Sequence, residues 1–295
     1  MTQIENLKIL FVLNPNSGNN NTDWSQVITA YFAPLHHVIE IYEIPEICDR
    51  KTLEDKIKSF APQQVVAVGG DGTVKLVAEC LLKKDILLGI LPAGSANGLA
   101  RELGIGNDPA KALDTLVAGY SQKLHATQVN DHLCIHLSDI GLNAYAIKRF
   151  ETQQRRGMWG YLIATLRVLW QNPLLEIDMK ADGQTIHIQA EMIVIANATK
   201  YGSGVVINPI GKLDDHLFEV IAIKKISLLE ILKMVFRHTS FNPDKTEMFQ
   251  TDSLTMRSSK NVHFQVDGEY LGKIKQVKAT IIPDALEVIV PAPVE

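Results

Sequence analysis

VVAVGGDGTVKLV (Val65–Val77) decides how this chain is read. Four small or β-branched apolar residues run into a glycine pair, and Asp-Gly-Thr then opens a stretch with apolar residues at helical spacing. The segment reads as strand, tight turn and helix. Paired glycines let backbone approach a ligand closely, and amides at the start of the helix can converge on an anion. Asp71 is placed to orient a cation or a water beside a phosphate. For Gly69–Thr73 taken alone, a plain βα turn is the simpler alternative.

The same rhythm extends outward from this segment. LKILFVLN (Leu7–Asn14), HVIEIYEI (His37–Ile44) and ILLGILPAG (Ile86–Gly94) read as further strands. TDWSQVITAYF, KTLEDKIKSF and TVKLVAECLLKK read as helices between them, and another helix spans about 108–118. Alternation of this kind predicts a Rossmann-like parallel α/β domain over residues 1–122. In such a sheet, loops at the carboxyl ends of the strands line a common crevice. NPNSG (Asn14, Pro15, Asn16, Ser17, Gly18) and LPAGSAN, with Gly94, Ser95 and Asn97, sit at two such ends. Each alone reads as an ordinary turn. With Gly69, Gly70, Asp71, Gly72 and Thr73 they form three glycine-and-hydroxyl loops able to meet one ligand.

After Tyr120 the pattern changes to short alternating stretches. These are KLHATQVN, HLCIHLSDI, LLEIDMKA, TIHIQAEMIVIAN, LFEVIAIKK, SLTMRS, NVHFQVDG, KATIIP and ALEVIV. Turns such as ADGQ and VNDH favour antiparallel hairpins. Two helices are expected to interrupt them, around MWGYLIATLRVLWQ and SLLEILKMVFRH. The prediction is a β-rich sandwich domain over 123–295, its last strand free to return to the first domain. In NVHFQVDGEYLG, the pair Asp267-Gly268 is most simply a hairpin turn.

Composition sets the outer bounds. The chain has 295 residues, 46% hydrophobic and 21% charged, which is ordinary for a globular protein. A net charge of −4 gives no basic field for nucleic acid. No apolar run approaches the ~20 residues of a membrane span, and the first residues do not read as a signal peptide. Three scattered cysteines fit reduced side chains in a cytoplasmic protein. The nine histidines show no metal-binding spacing. Neither GxxxxGK[ST] nor a GxGxxG between strand and helix is present, which disfavours P-loop NTPases and Rossmann dehydrogenases. Gln153–Trp170 joins a basic start to an aromatic amphipathic stretch, suited to core packing or to peripheral membrane contact.

Taken in order, NPNSG, VAVGGDGTVKLV, LPAGSANGLAR, GKLDD (Gly211–Asp215) and VDGE (Val266–Glu269) resemble the diacylglycerol kinase catalytic-domain family. That family includes bacterial lipid kinases and sphingosine kinases. The resemblance implies an ATP-dependent lipid kinase with ATP and Mg2+ as cofactors and a lipid substrate, diacylglycerol first and a long-chain base second. It makes Asp267 the general base, with Glu269 and Asp71 in supporting catalytic roles. The loops at Asn14–Gly18, Gly69–Thr73 and Gly94–Asn97 would bind ATP. A structural magnesium site would take oxygens from Lys212, Asp215 and Leu217. Transient contact with a membrane is expected of such an enzyme, and a homodimer is left open. NAD kinase, and a non-catalytic nucleotide- or lipid-binding protein, are the alternatives. The chain departs from the family pattern at His216, where glycine is usual, at Gly98 and at Asn143.

Overall fold

A computed structural model describes residues 6–18, 22–45, 49–151, 174–200, 206–226 and 243–292. The helices expected around 158–171 and 227–238, the basic-aromatic stretch 153–170 and Cys48 lie outside the described residues. The chain forms two compact units, 1–124 with 284–295, and 125–283.

In the first unit β1 (Lys8–Leu13), β2 (Val38–Glu43), β3 (Gln64–Gly69) and β4 (Leu87–Pro92) form a parallel sheet in the order β2-β1-β3-β4. Val65, Val66, Ala67 and Val68 are fully buried, so β3 reads as an unbroken apolar run rather than an alternating one. Helices α1 (Trp24–Phe32), α2 (Arg50–Phe60), α3 (Asp71–Leu81), α4 (Gly98–Glu102) and α5 (Pro109–Ala118) connect the strands. Asp23, Asp49 and Asp108 accept first-turn amides of α1, α2 and α5, and Pro109 takes a helix-starting position where its missing N–H costs nothing. The end of β14 (Glu269–Val290) lies parallel to β4, with Val288 opposite Leu88, and the Lys83 amide donates to the Ala285 carbonyl. In this strand order the chain leaves the β1/β3 pair in opposite directions, so the carboxyl ends of β1 and β3 open onto the switch point where ligands bind in open α/β sheets.

The second unit is antiparallel. Beyond β5 (Tyr120–Val129) it contains β6 (His132–Cys134), β7 (Leu137–Gly141), α6 (Leu142–Glu151), β8 (Leu175–Ala181), β9 (Gln184–Ala190), β10 (Met192–Ala196), β11 (Phe218–Ile223), β12 (Thr246–Thr251) and β13 (Ser253–Val266). The strands run β12-β11-β10-β7-β13, while β8 pairs with β13 and β9, and β14 pairs with β13. Side chains of β10 alternate between two cores. Ile193 and Ile195 join Phe218, Val220 and Phe264 on one face; Met192, Val194 and Ala196 join Ile221, Ile223 and Leu142 on the other. Burial on both faces explains why MIVIA lacks a polar alternate.

Four details differ from the sequence reading. HLCIHLSDI is two strands, β6 and β7, broken at Ile135-His136. SLTMRS and NVHFQV form one strand, β13, in which a register irregularity between Arg257 and Val262 absorbs the polar Ser-Ser-Lys-Asn segment. EYLG, KATIIP and ALEVIV likewise form a single strand, β14. Leu142–Glu151, unassigned from sequence, is α6.

Candidate functional site

Within the first unit the three loops are stitched together by specific contacts. The Asn14 amide side chain donates to Thr73 Oγ1 at 3.2 Å, and the Asn14 N–H donates to the Val68 carbonyl at 3.0 Å. Asn16 N–H donates to Asn14 Oδ1, and the Ser17 hydroxyl to the Asn14 carbonyl, so NPNSG closes on itself. Ala93 N–H reaches the Gly69 carbonyl at 2.9 Å. Backbone meets backbone where Gly94 faces Gly70: a β-carbon on Gly94 would stand 2.4 Å from the Gly70 α-carbon. Only glycine permits that approach.

Asp71 opens α3 and its Oδ1 accepts the Leu99 N–H at 3.2 Å, binding the GGDGT loop to the start of α4. Asn97 is buried in a left-handed conformation, φ 51°, with both amide atoms bonded to Gly94 main chain at 2.9 Å. Its side chain therefore shapes the loop from inside. Pro15, Asn16, Gly18, Gly72 and Ser95 are exposed. The start of α3 has Gly70 as its cap residue and no side-chain cap bond. First-turn amides flanked by glycine favour phosphate oxygens.

In the second unit the central feature is Asp267. It sits at φ 51° and Gly268 at φ 85°, a two-residue turn closing the Val266–Glu269 pair between β13 and β14. Its carboxylate accepts three backbone amides: His136 at 2.9 Å and Leu137 at 3.2 Å on Oδ1, and Ile135 at 3.1 Å on Oδ2. The Cys134 thiol adds a weak donor to Oδ1 at 3.6 Å. These amides are available because the chain breaks between β6 and β7 and turns its N–H groups away from a strand ladder. Among the described residues Oδ1 takes two amides and the thiol, whereas Oδ2 takes one amide, which leaves it a lone pair that can accept a proton. Glu269 is exposed at the first position of β14.

Lys212 is exposed, and Asp215 and Leu217 are half-buried. Asp215 Oδ1 accepts the Leu217 N–H at 3.2 Å, forming a tight turn. His216 takes φ 59°, the left-handed conformation that suits glycine, and its ring stacks on buried His125 with centroids 4.0 Å apart. Two residues beyond Leu217, the Glu219 carboxylate is buried and accepts the side-chain amides of Asn208 and Gln250. Burial is the main cause that raises its pKa above the usual glutamate range, and nearby Asp215 adds to it. Among the described residues no group of three or more His, Cys, Asp and Glu side chains is arranged to hold a metal ion. A cation at Lys212–Leu217 would thus rely on the Asp215 carboxylate and main-chain carbonyls, an all-oxygen set suited to a hard ion.

Two polar residues were not singled out in the sequence. Gln265 and Asp139 are fully buried and bonded to each other directly behind Asp267. Their signal was a polar residue inside an otherwise apolar strand, in HFQV and in HLSDIG.

The architecture is a parallel α/β unit with glycine loops at its switch point, followed by an antiparallel β-sandwich bearing a braced carboxylate. The chain belongs to the diacylglycerol kinase catalytic-domain family: residues 8–129 match the diacylglycerol kinase catalytic domain, and 138–290 match the YegS C-terminal NAD kinase beta sandwich-like domain. A Staphylococcus aureus diacylglycerol kinase is 27% identical over 219 residues, covering 71% of this chain and 69% of that protein. An uncharacterised Synechocystis protein is 28% identical over 242 residues, 77% of this chain; the match spans about half, 54%, of that longer protein. The crystal structure of a diacylglycerol kinase from Bacillus anthracis superposes with a TM-score of 0.76 over 96% of this chain and 97% of its own, at 20% identity. That likeness establishes the fold.

No described helix is long and apolar enough to cross a membrane.

Proposed function

We propose that this protein transfers the γ-phosphoryl group of Mg·ATP to the hydroxyl of a lipid, with a diacylglycerol-like acceptor first and a long-chain base second. The observation that carries this reading is the Asp267 carboxylate, fixed by three backbone amides with one lone pair of Oδ2 left over. Phosphoryl transfer asks little covalent chemistry of a protein; it asks for positioning and charge neutralisation. Asp267 Oδ2 receives the proton as the lipid oxygen bonds to the γ-phosphorus and the bond to the β,γ-bridging oxygen breaks, releasing ADP. The phosphates lie against Gly69–Thr73 at the start of α3, with Asn14–Gly18 and Gly94–Asn97 shaping the remaining nucleotide contacts. Magnesium, when bound with the nucleotide, would supply charge neutralisation at the phosphates. Asp71, already tied to the Leu99 amide through Oδ1, has its second oxygen to offer to the ion's water shell. Asp215 through its carboxylate, and Lys212 and Leu217 through main-chain carbonyls, would hold a second cation with a structural role. Glu269 assists Asp267 from the neighbouring strand.

The test is transfer of labelled γ-phosphate from Mg·ATP to a panel of detergent-dispersed lipids, with NAD as an alternative acceptor and Asp267→Asn as control. Label entering the organic phase and lost in the variant is the expected result. Label on NAD would overturn it in favour of a NAD kinase. Nucleotide binding without transfer to any acceptor would overturn it in favour of a binding protein.

A further inference from the structure

Behind the Asp267 turn lies a buried polar chain that neither a sandwich core nor a hairpin requires. Gln265 is fully buried, and its side-chain oxygen accepts the Gly268 N–H at 2.7 Å, inside the turn itself. Its side-chain nitrogen donates to Asp139 Oδ2 across the β7–β13 pair, where Gln265 and Asp139 stand in register. Asp139, only 1% exposed, is anchored in turn by the Ala144 N–H at 2.9 Å and the Asn143 side chain. Both donors belong to the first turn of α6, where a carboxylate is favoured by the exposed amides and the helix dipole. Ser138 completes the arrangement by donating its hydroxyl to the Gln265 carbonyl at 2.7 Å. The main chain repeats the link, since the Asp267 N–H donates to the Leu137 carbonyl at 2.9 Å.

Burying an ionisable side chain in a β-sandwich is costly unless it is fully bonded, and an apolar pair at 139 and 265 would fill the same space without that demand. What the polar pair adds is direction. It ties the left-handed Asp-Gly turn, through two side chains, to a helix start. We infer that Gln265 and Asp139 are positioning residues that hold the Asp267 carboxylate in its reactive orientation. This rests on the reading of Asp267 as the base.

The experiment compares Gln265→Met, Gln265→Glu, Gln265→Glu with Asp139→Asn, and Asp267→Asn. Phosphorylation of dioleoylglycerol in detergent micelles by Mg·ATP is measured per folded molecule, and backbone amide exchange at 135–137 and 268 is followed in parallel. Gln265→Met removes both bonds and should lower kcat about 10–100-fold while leaving KM for ATP within about two-fold, the scale of a misplaced catalytic group. Gln265→Glu opposes two carboxylates and should fall as far. Adding Asp139→Asn exchanges donor and acceptor, and should restore kcat to within about three-fold of wild type. Exchange of the Ile135, His136 and Leu137 amides should accelerate in Gln265→Met and recover in the exchanged pair. Unchanged kcat and unchanged exchange in Gln265→Met would overturn the inference. So would a fall in folded fraction with kcat per folded molecule intact, which marks a structural role only. Full turnover in Asp267→Asn would instead sink the reading of Asp267. An inactive Asp267→Asn beside a fully active Gln265→Met would sink this inference alone.

Discussion

The second unit contains two Asp-Gly turns with nearly the same backbone. Asp182-Gly183 joins β8 to β9 at φ 49° and 76°, and Asp267-Gly268 joins β13 to β14 at φ 51° and 85°. Both meet the same local demand, positive φ at two successive residues between twisted strands. Their side chains live differently. Among the described residues Asp182 accepts one hydroxyl, that of Thr251 at 3.1 Å, whereas Asp267 gathers three main-chain amides from a broken strand 130–132 residues earlier. Local sequence fixes the turn; distant backbone makes one of them a candidate site.

Exchanging Asp for Asn at each turn separates the two most sharply. Asp267→Asn should cost on the order of 10²–10⁴-fold in kcat, with nucleotide affinity nearly intact. Asp182→Asn should leave kcat within about two-fold. Equal turnover in the two variants, measured with labelled Mg·ATP, would erase the distinction.

Gly94→Ala tests whether nucleotide binding is independent of either turn. Its β-carbon would stand 2.4 Å from the Gly70 α-carbon, so the two glycine loops must part. Overpacking of this kind costs ~1–3 kcal/mol, and ATP affinity by calorimetry should fall with it. The amide exchange around Asp267 should stay as in wild type.

The glycines of the two turns offer a matched pair. Gly183→Ala and Gly268→Ala each force a β-carbon into left-handed backbone, which costs ~1–2 kcal/mol, and thermal unfolding should register similar losses. Only Gly268→Ala should also depress kcat, because its N–H is held by Gln265.

The smallest effect concerns Glu219, a buried carboxylate held by side-chain amides rather than by main chain. Burial is the main cause that raises its folded pKa above the usual glutamate range, so the folded state binds the proton more tightly than the unfolded chain does. The stability this contributes is fully present below the unfolded value and is lost as pH rises through the folded one. Glu219→Gln should flatten that part of the stability–pH curve, read by denaturant unfolding across the acid range.

Much of the first unit is legible in its sequence because parallel strands buried on both faces are continuous apolar runs, and the glycine loops follow them directly. The three loops meeting at the switch point follow from strand order. What escaped were side-chain fates inside those loops: Asn97 turned inward to Gly94, and Asp71 bonded to the Leu99 amide. The second unit is harder for a physical reason. Its site is assembled from register, with Gln265 opposite Asp139 and Leu137 bonded both ways to Asp267, and register between strands far apart in sequence leaves no local periodicity. His216 shows the reverse case. The family's glycine signals left-handed backbone there, and histidine adopts it anyway at φ 59°, its ring stacked on His125.

The closing segment of β14 has a consequence for biosynthesis. Ala285, Leu286, Val288, Ile289 and Val290 are buried with the first unit, and Val288 pairs with Leu88 of β4. Residues 125–283 must therefore leave the ribosome before the sheet of the first unit can be completed. At ~5–20 residues per second that is a delay of roughly 10–30 s. Throughout it the edge of β4 that β14 later covers is an unpaired template, which a chain truncated before β14 would carry permanently.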